Sequence, residues 1–257
     1  MKLIDTWEEW CAVYNQPDFW RDEIRLICAA HGVELRQVEG VFPGTHVGIF
    51  INDDTVLKIF CPVRFNTYWK ELRLHRGILS GNPIYPQVRF HGVSPSGYHY
   101  IAFSRLHGTP LREVEGKLMS AEAIRSLAHA LAELHNETMT EGKAGLRCLV
   151  HYDLGDDHVF LDDKGRLEGI IDFGDAVRRH PSAEFAIPFL FCLGGDVERI
   201  AIFHEAYHAK SEYRINDREV AAALRRHPFY TDIIPFVQRL DTEYARFLLR
   251  LLLSDCR

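Results

Sequence analysis

Two short segments hold most of the side chains able to do chemistry. Leu149-Val150-His151-Tyr152-Asp153-Leu154-Gly155-Asp156-Asp157-His158 sets a carboxylate just after an apolar pair, and Ile170-Ile171-Asp172-Phe173-Gly174-Asp175 repeats that arrangement 19 positions later. A carboxylate in a turn after a buried strand can orient or deprotonate an attacking hydroxyl. A second one, carried by a neighbouring strand end, can hold a divalent cation against phosphate oxygens. Nineteen positions are enough for a loop, a strand, a turn and a returning strand. Singly, His-x-Asp or Asp-Phe-Gly carries little weight. Together and in this order they point to phosphoryl transfer.

A third element stands far upstream. Lys58 lies in Val56-Leu57-Lys58-Ile59-Phe60, an apolar strand in which a lone ammonium would be costly without a partner. Glu71 is the only acid in the helical segment that follows. A solvated lysine on an edge strand is the alternative, and the downstream aspartates favour the paired role.

The two downstream segments resemble the aminoglycoside-phosphotransferase and protein-kinase superfamily. Its catalytic loop reads H-x-D-x-x-x-x-N and its metal motif I-D-[FW]-[GE]. The resemblance implies Asp153 as catalytic base and Asp172 as metal ligand. His158 stands where the loop asparagine usually lies, as in some antibiotic kinases of the family. It is carried over as the second metal ligand, with a structural hydrogen-bonding histidine as the alternative. His151 is expected to support the loop rather than react, and Asp156, Asp157 and Asp175 either to be solvated or to tune the site. The resemblance also pairs Lys58 with Glu71, aiming the ammonium at the nucleotide phosphates. It reads Phe103 to Leu111 as an interlobe hinge in which backbone groups around Ser104 and Leu106 meet the base. Gly40-Val41-Phe42-Pro43-Gly44-Thr45-His46-Val47-Gly48 is not G-x-G-x-x-G. Its place before the lysine strand still makes Gly44, Thr45 and His46 phosphate-loop candidates through backbone N–H groups. The implied cofactors are Mg²⁺ or Mn²⁺, with ATP or GTP as phosphate donor.

The elements that must position these residues follow from periodicity. Thr6-Trp7-Glu8-Glu9 fits a capping box, and Phe19 to Ala30 repeats apolar residues at helical spacing. Strands are expected over 34–39, 47–51 and 55–60, the last two joined through Asn52-Asp53-Asp54. A helix over 65–79 and strands over 88–93 and 98–103 follow. Ser120 suits an N-cap for a helix that buries Ile124, Leu127, Ala128, Leu131 and Leu134. After residue 103 the texture is helical apart from two strand-like pieces, 158–161 and 167–172. Beyond 182 it is helical to the end, with breaks near Pro228 and Pro235. The expected architecture is α+β: a bilobal protein-kinase-like fold with a small antiparallel-sheet N-lobe and a mainly helical C-lobe. Its divisions are an N-lobe over 1–103 with a five-stranded sheet, a hinge at 104–108 and a C-lobe over 109–257 that carries the acceptor pocket.

Bulk properties narrow the partners. With 47% hydrophobic and 12% aromatic residues, the 257-residue chain can bury a real core, and its net charge of −6 argues against a nucleic-acid partner. The six cysteines, at 11, 28, 61, 148, 192 and 256, show no zinc or redox spacing and read as free thiols of a reducing compartment. Met1 to Asp5 lacks the apolar core of a signal peptide. Phe185 to Leu193 is too short to span a membrane and contains Pro188. A cytoplasmic monomer or dimer without a membrane partner is therefore expected.

The expected activity is transfer of a γ-phosphate to a hydroxyl of a small molecule, an aminoglycoside-like antibiotic or a hydroxylated metabolite. Gly155 replaces the lysine common two residues after the aspartate of protein kinases, and no A-P-E segment follows Asp172. From residue 176 onward 11 acids face 12 bases, so the acceptor region is not acidic overall; Glu205, Asp241 or Glu243 could still serve a cationic acceptor. The alternative is a catalytically weak relative that binds nucleotide for regulation or partner interaction.

Overall fold

The computed structural model describes residues 3–36, 38–41, 45–64, 66–117, 119–143 and 145–254. They divide into two compact units, Met1–Leu106 and His107–Arg257.

In the first unit, helices α1 (Trp7–Val13) and α2 (Pro17–Ala30) precede the sheet. The expected cap forms: the Thr6 side chain accepts the Glu9 N–H. Trp10 and Trp20 are fully buried, their rings 5.3 Å apart. The Trp10 indole N–H donates to the Thr45 carbonyl at 2.8 Å. Strands β1 (Glu39–Val41), β2 (Val47–Asn52), β3 (Thr55–Ile59), β4 (Val88–Val93) and β5 (His99–Ser104) form one antiparallel sheet in the order β1-β2-β3-β5-β4. Helix α3 (Asn66–Arg76) joins β3 to β4. The strand expected over 34–39 instead begins at Glu39. Val33 and Leu35 do pack on the core, so their alternation reports an extended chain lying against it, without a hydrogen-bonded ladder. Because β3 is the middle strand, Lys58 is not on an edge.

The second unit is less helical than its sequence suggests. Helix α4 (Ala121–Thr138) forms as expected, with the Ser120 hydroxyl accepting the Ala123 N–H at 3.1 Å. Around it lie two three-stranded antiparallel sheets. One is β10 (Leu167–Ile170), β9 (Val159–Leu161) and β6 (Thr109–Pro110); the other is β11 (Val177–Arg179), β8 (Gly145–Val150) and β7 (Thr140–Gly142). Four of these strands were not foreseen: β6, β7 and β11, of two or three residues, are too short to display a period, and β8, buried only at its last three residues, does not alternate. Gly108 owes its place to close packing, because a Cβ there would sit 2.5 Å from the Leu161 carbonyl oxygen.

A π-helical turn (Pro188–Cys192) and helices α5 (Val197–Lys210), α6 (Asp217–Leu224), α7 (Tyr230–Arg239) and α8 (Glu243–Ser254) complete the unit. The break expected at Pro235 does not occur; it lies inside α7. Its missing N–H removes one helical bond, and burial of Ile233 and Val237 on either side holds the helix together. Among the described residues no helix is long and apolar enough to cross a membrane, and five cysteines are free.

A buried polar chain fastens α4 to the end of β8. Glu184 is fully buried and its Oε2 accepts the His151 backbone N–H at 2.6 Å. His135 of α4 places Nε2 3.4 Å from the same oxygen and Nδ1 2.7 Å from the Tyr207 hydroxyl. Burial by itself would raise the Glu184 pKa. The His135 hydrogen bond and charge, with the His151 contacts, outweigh it and hold the carboxyl below its ordinary range.

Removing one partner from such a buried arrangement costs about 3–5 kcal/mol. Glu184→Ala should lower Tm by roughly 6–20 °C, taking about 2–4 °C per kcal/mol at this size. Glu184→Gln, which keeps an acceptor, should lose less. The stabilisation is complete above the unfolded carboxylate pKa of about 4.3 and disappears as pH falls through the lower folded value. Thermal melts should therefore show the gap between wild type and Glu184→Gln closing in acid.

Candidate active site

At the end of β8 the chain is held from several sides of the second unit. Besides the Glu184 bond, the His151 ring Nε2 donates to the Ile171 carbonyl at 2.8 Å, tying the loop to the residue before Asp172. Burial lowers the His151 pKa, in keeping with a neutral ring that donates through Nε2. Tyr152 has φ of 75°, and its carbonyl accepts from His227 Nε2 at 2.8 Å. Asp172 has φ of 63°. Among the described residues these are the only non-glycine residues with positive φ. Each such conformation costs of order 1–3 kcal/mol and persists only where its surroundings enforce it. One immediately precedes Asp153 and the other is Asp172 itself.

His158 connects the two segments. Its Nδ1–H donates to the Asp153 carbonyl at 2.6 Å, since a carbonyl can only accept. That leaves Nε2 directed toward Asp172, 4.0 Å from Oδ2. Asp157 Oδ1 lies 3.8 Å from Nδ1. Asp172 Oδ1 accepts the Gly174 N–H at 3.2 Å. Burial pushes the Asp153 carboxyl up to about 6; the negative charges of Asp175, Asp157 and Asp172 add to the rise and the His158 ring opposes it. Burial alone would lower the His158 pKa, but the carboxylates of Asp172, Asp157 and Asp153 outweigh it and raise the value.

This donor set fits a divalent cation shared with phosphate better than a resident metal. Among the described residues no group of three or more His, Cys, Asp or Glu side chains could hold an ion alone. Asp172 and His158 Nε2 offer two donors. Mg²⁺ is commonly held by one or two carboxylates, with phosphates and water filling the other positions. Fixing Nδ1–H on a carbonyl is also how ligand histidines present Nε2. A carboxylate–imidazole pair suits Mn²⁺ as well.

Asp153 lines a cavity of about 550 Å³ within the second unit. Asp156, Asp157 and Arg112 stand on the same wall, with Arg112 Nη2 bonded to Asp157 Oδ2 at 3.2 Å. Opposite in character are Phe191 of the π-helical turn and Phe236 of α7, stacked at 4.4 Å. Glu205, Asp241 and Glu243 do not line it. Asp241 instead pairs with Arg246 at 2.8 Å on the surface.

The first unit brings together Lys58 and Glu71. The ammonium lies 3.0 and 2.9 Å from the two carboxylate oxygens, and Glu71 is almost wholly buried. His46 is buried, its Nδ1 accepting the Cys61 N–H at 3.1 Å. The Thr45 carbonyl is taken by Trp10. Gly44 lies outside the described residues. The Ser104 N–H donates to the Gln87 carbonyl and its hydroxyl accepts the Gln87 N–H, both at 2.8 Å. Leu106, half-buried, ends the unit.

Glu184, His227 and the Phe191–Phe236 pair were not foreseen as parts of the site. For Glu184 a signal existed: a lone carboxylate opening the apolar run Phe185 to Leu193 requires a buried partner. The others carry no local mark.

Comparison with known proteins agrees with this geometry. Residues 137–224, the stretch spanning both aspartates, match the model of the family described as "Phosphotransferase enzyme family". No curated protein sequence matches the chain. Among solved structures, the GDP complex of wild-type aminoglycoside 2'-phosphotransferase-IIIa is similar at a TM-score of 0.61 and 17% identity, covering 90% of this chain and 96% of that one. The streptomycin–ATP ternary complex of APH(2")-IIa gives 0.57 and 16%, covering 90% and 95%. APH(3'')-Id from Streptomyces rimosus with ADP and streptomycin gives 0.62 and 16%, covering 84% and 98%. At such identities the likeness establishes the fold, and the family match falls on the segment bearing the chemistry. The resemblance read from the sequence and the α+β architecture are thereby borne out: the chain has the protein-kinase-like fold of the aminoglycoside phosphotransferases, and its residues 137–224 match a phosphotransferase family.

Proposed function

We propose that the protein transfers the γ-phosphate of a nucleoside triphosphate to a hydroxyl of a small molecule held in the Asp153 cavity. The observation that carries this reading is Asp153 itself. It lines a cavity of acceptor size and has a carboxyl pushed up to about 6, where a base is largely ionised at neutral pH yet still able to take a proton. As the acceptor oxygen bonds to the γ-phosphorus, its proton passes to the Asp153 carboxylate. The bond from the γ-phosphorus to the bridging oxygen breaks, and the nucleoside diphosphate leaves. His158 keeps Asp153 in place through its carbonyl. Asp172 and His158 Nε2 would hold a divalent cation, which when bound supplies charge neutralisation at the phosphate oxygens. Lys58, steadied by Glu71, is assigned to the nucleotide phosphates, and backbone groups of Thr45, His46, Ser104 and Leu106 to nucleotide binding.

Solved structures of the same fold hold GDP in one case and ATP or ADP in others, so both donors belong in any assay. A second reading, a weakly catalytic nucleotide-binding protein, is favoured by His158, where a retained proton would compete with the cation, and by the departure of residues 40–48 from a G-x-G-x-x-G loop.

Asp153→Asn should lower acceptor phosphorylation by ~10²–10⁴ while nucleotide affinity stays within about twofold; full turnover in that variant would remove Asp153 from its role. For the wild type, kcat/KM should rise with pH through about 6 and level off above it, because the base acts in its ionised form and loses activity as pH falls. A profile flat from pH 5 to 8 would contradict this. His158→Asn should shift metal preference from Mn²⁺ toward Mg²⁺, read as the ratio of the two rates at saturating metal. An unchanged ratio would take His158 out of the metal site.

A further inference from the structure

The cavity beside Asp153 is built for a different acceptor from the polycationic antibiotics. Two arginines, Arg112 and Arg199, face three aspartates, Asp153, Asp156 and Asp157, an excess of one negative charge that includes the base itself. Asp157 is already engaged by Arg112 at 3.2 Å. A molecule with several ammonium groups needs a carboxylate or carbonyl for each, and seating one against an apolar wall without such a partner is expensive.

Most of the remaining lining is hydrocarbon. Phe229, Ile233, Phe236 and Leu240 follow one another at spacings of four, three and four along α7 and its two caps, a single helical stripe. Such a stripe ordinarily disappears into a core. Here Ile233 is buried, while Phe229 is 36% exposed and Phe236 and Leu240 keep part of their surface accessible. Phe191 extends the wall, its ring nearly parallel to that of Phe236 at 10°. The result is an aromatic and aliphatic wall in the same cavity as Asp153, with a volume typical of sites for drug-sized ligands.

We infer that the acceptor is a hydroxylated molecule with an extended apolar or aromatic face and at most one positive charge, lying against Phe191 and Phe236 with a hydroxyl directed at Asp153. This rests on the kinase reading only in taking the cavity as the acceptor site; the binding preference itself follows from the lining.

Calorimetry on the intact protein with 2-naphthyl β-D-glucoside, glucose and kanamycin tests it. The naphthyl glucoside should bind at least about tenfold more tightly than either of the others. Phe236→Ser and the milder Phe236→Leu should weaken its binding, the former by about tenfold, with the thermal melt and nucleotide affinity preserved. Tighter binding of kanamycin, or naphthyl glucoside affinity indifferent to both Phe236 variants and to Phe191→Ser, would overturn the inference. Phosphate transfer from ATP or GTP, followed by mass spectrometry, separates the two claims. The expected binding pattern without transfer to any of the three would uphold the preference and count against the kinase reading. Transfer to kanamycin in preference to the naphthyl glucoside would do the reverse.

Discussion

Crowding of negative charge around one imidazole is the constraint on which the rest of the second unit depends. Asp153, Asp157 and Asp172 all act on His158, and Asp175 adds to the field at Asp153. Left to themselves these carboxylates would repel one another and spread. The His158 ring opposes that by giving Nδ1–H to the Asp153 carbonyl and turning Nε2 to Asp172. A carboxyl with a raised pKa and a carboxylate–imidazole pair emerge from the same surroundings, because burial and like charge favour the protonated form of Asp153 while the neighbouring carboxylates favour a charged His158.

Backbone strain keeps that arrangement in place. The two left-handed residues, Tyr152 and Asp172, sit where the chain must reverse sharply to present side chains rather than continue a strand. Each is countered by a buried polar contact. His227 holds the Tyr152 carbonyl, and His151 bonds the carbonyl just before Asp172 while its own N–H is fixed by Glu184. Through His135 the support reaches α4, which buries nine of its residues. Precision at the site thus derives from burial at some distance from it, as expected where a functional loop is carried on a rigid scaffold.

Much of this was legible in order and spacing. The paired aspartate segments, Lys58 with its buried Glu71, four of the five strands around α3 and the Ser120-capped helix all follow from local pattern, since an apolar strand carrying one charge needs a partner and a period of 3.6 or 2 announces its own element. Less legible were features set by pairing between distant pieces. Three strands of the second unit, β6, β7 and β11, are too short to show periodicity and exist because β9 and β8 collect them as neighbours. Pro235 marked a break that packing overruled, and the alternation over 34–39 reflected contact with a core rather than a ladder.

By itself the sequence determined which chemistry was available: two carboxylates, one lysine–glutamate pair, and a histidine where an amide was expected. Those are properties of residue type and spacing, and they survive any rearrangement of the chain around them. Tertiary structure alone decided what the groups became. Glu184, one acid among eleven after residue 176, became a buried anchor, and Asp241 an exposed surface partner of an arginine. Phe191 and Phe236, 45 positions apart, became one wall. Burial, charge neighbours and cavity shape arise only when distant segments share space, and they set a pKa or a ligand preference that no local pattern encodes.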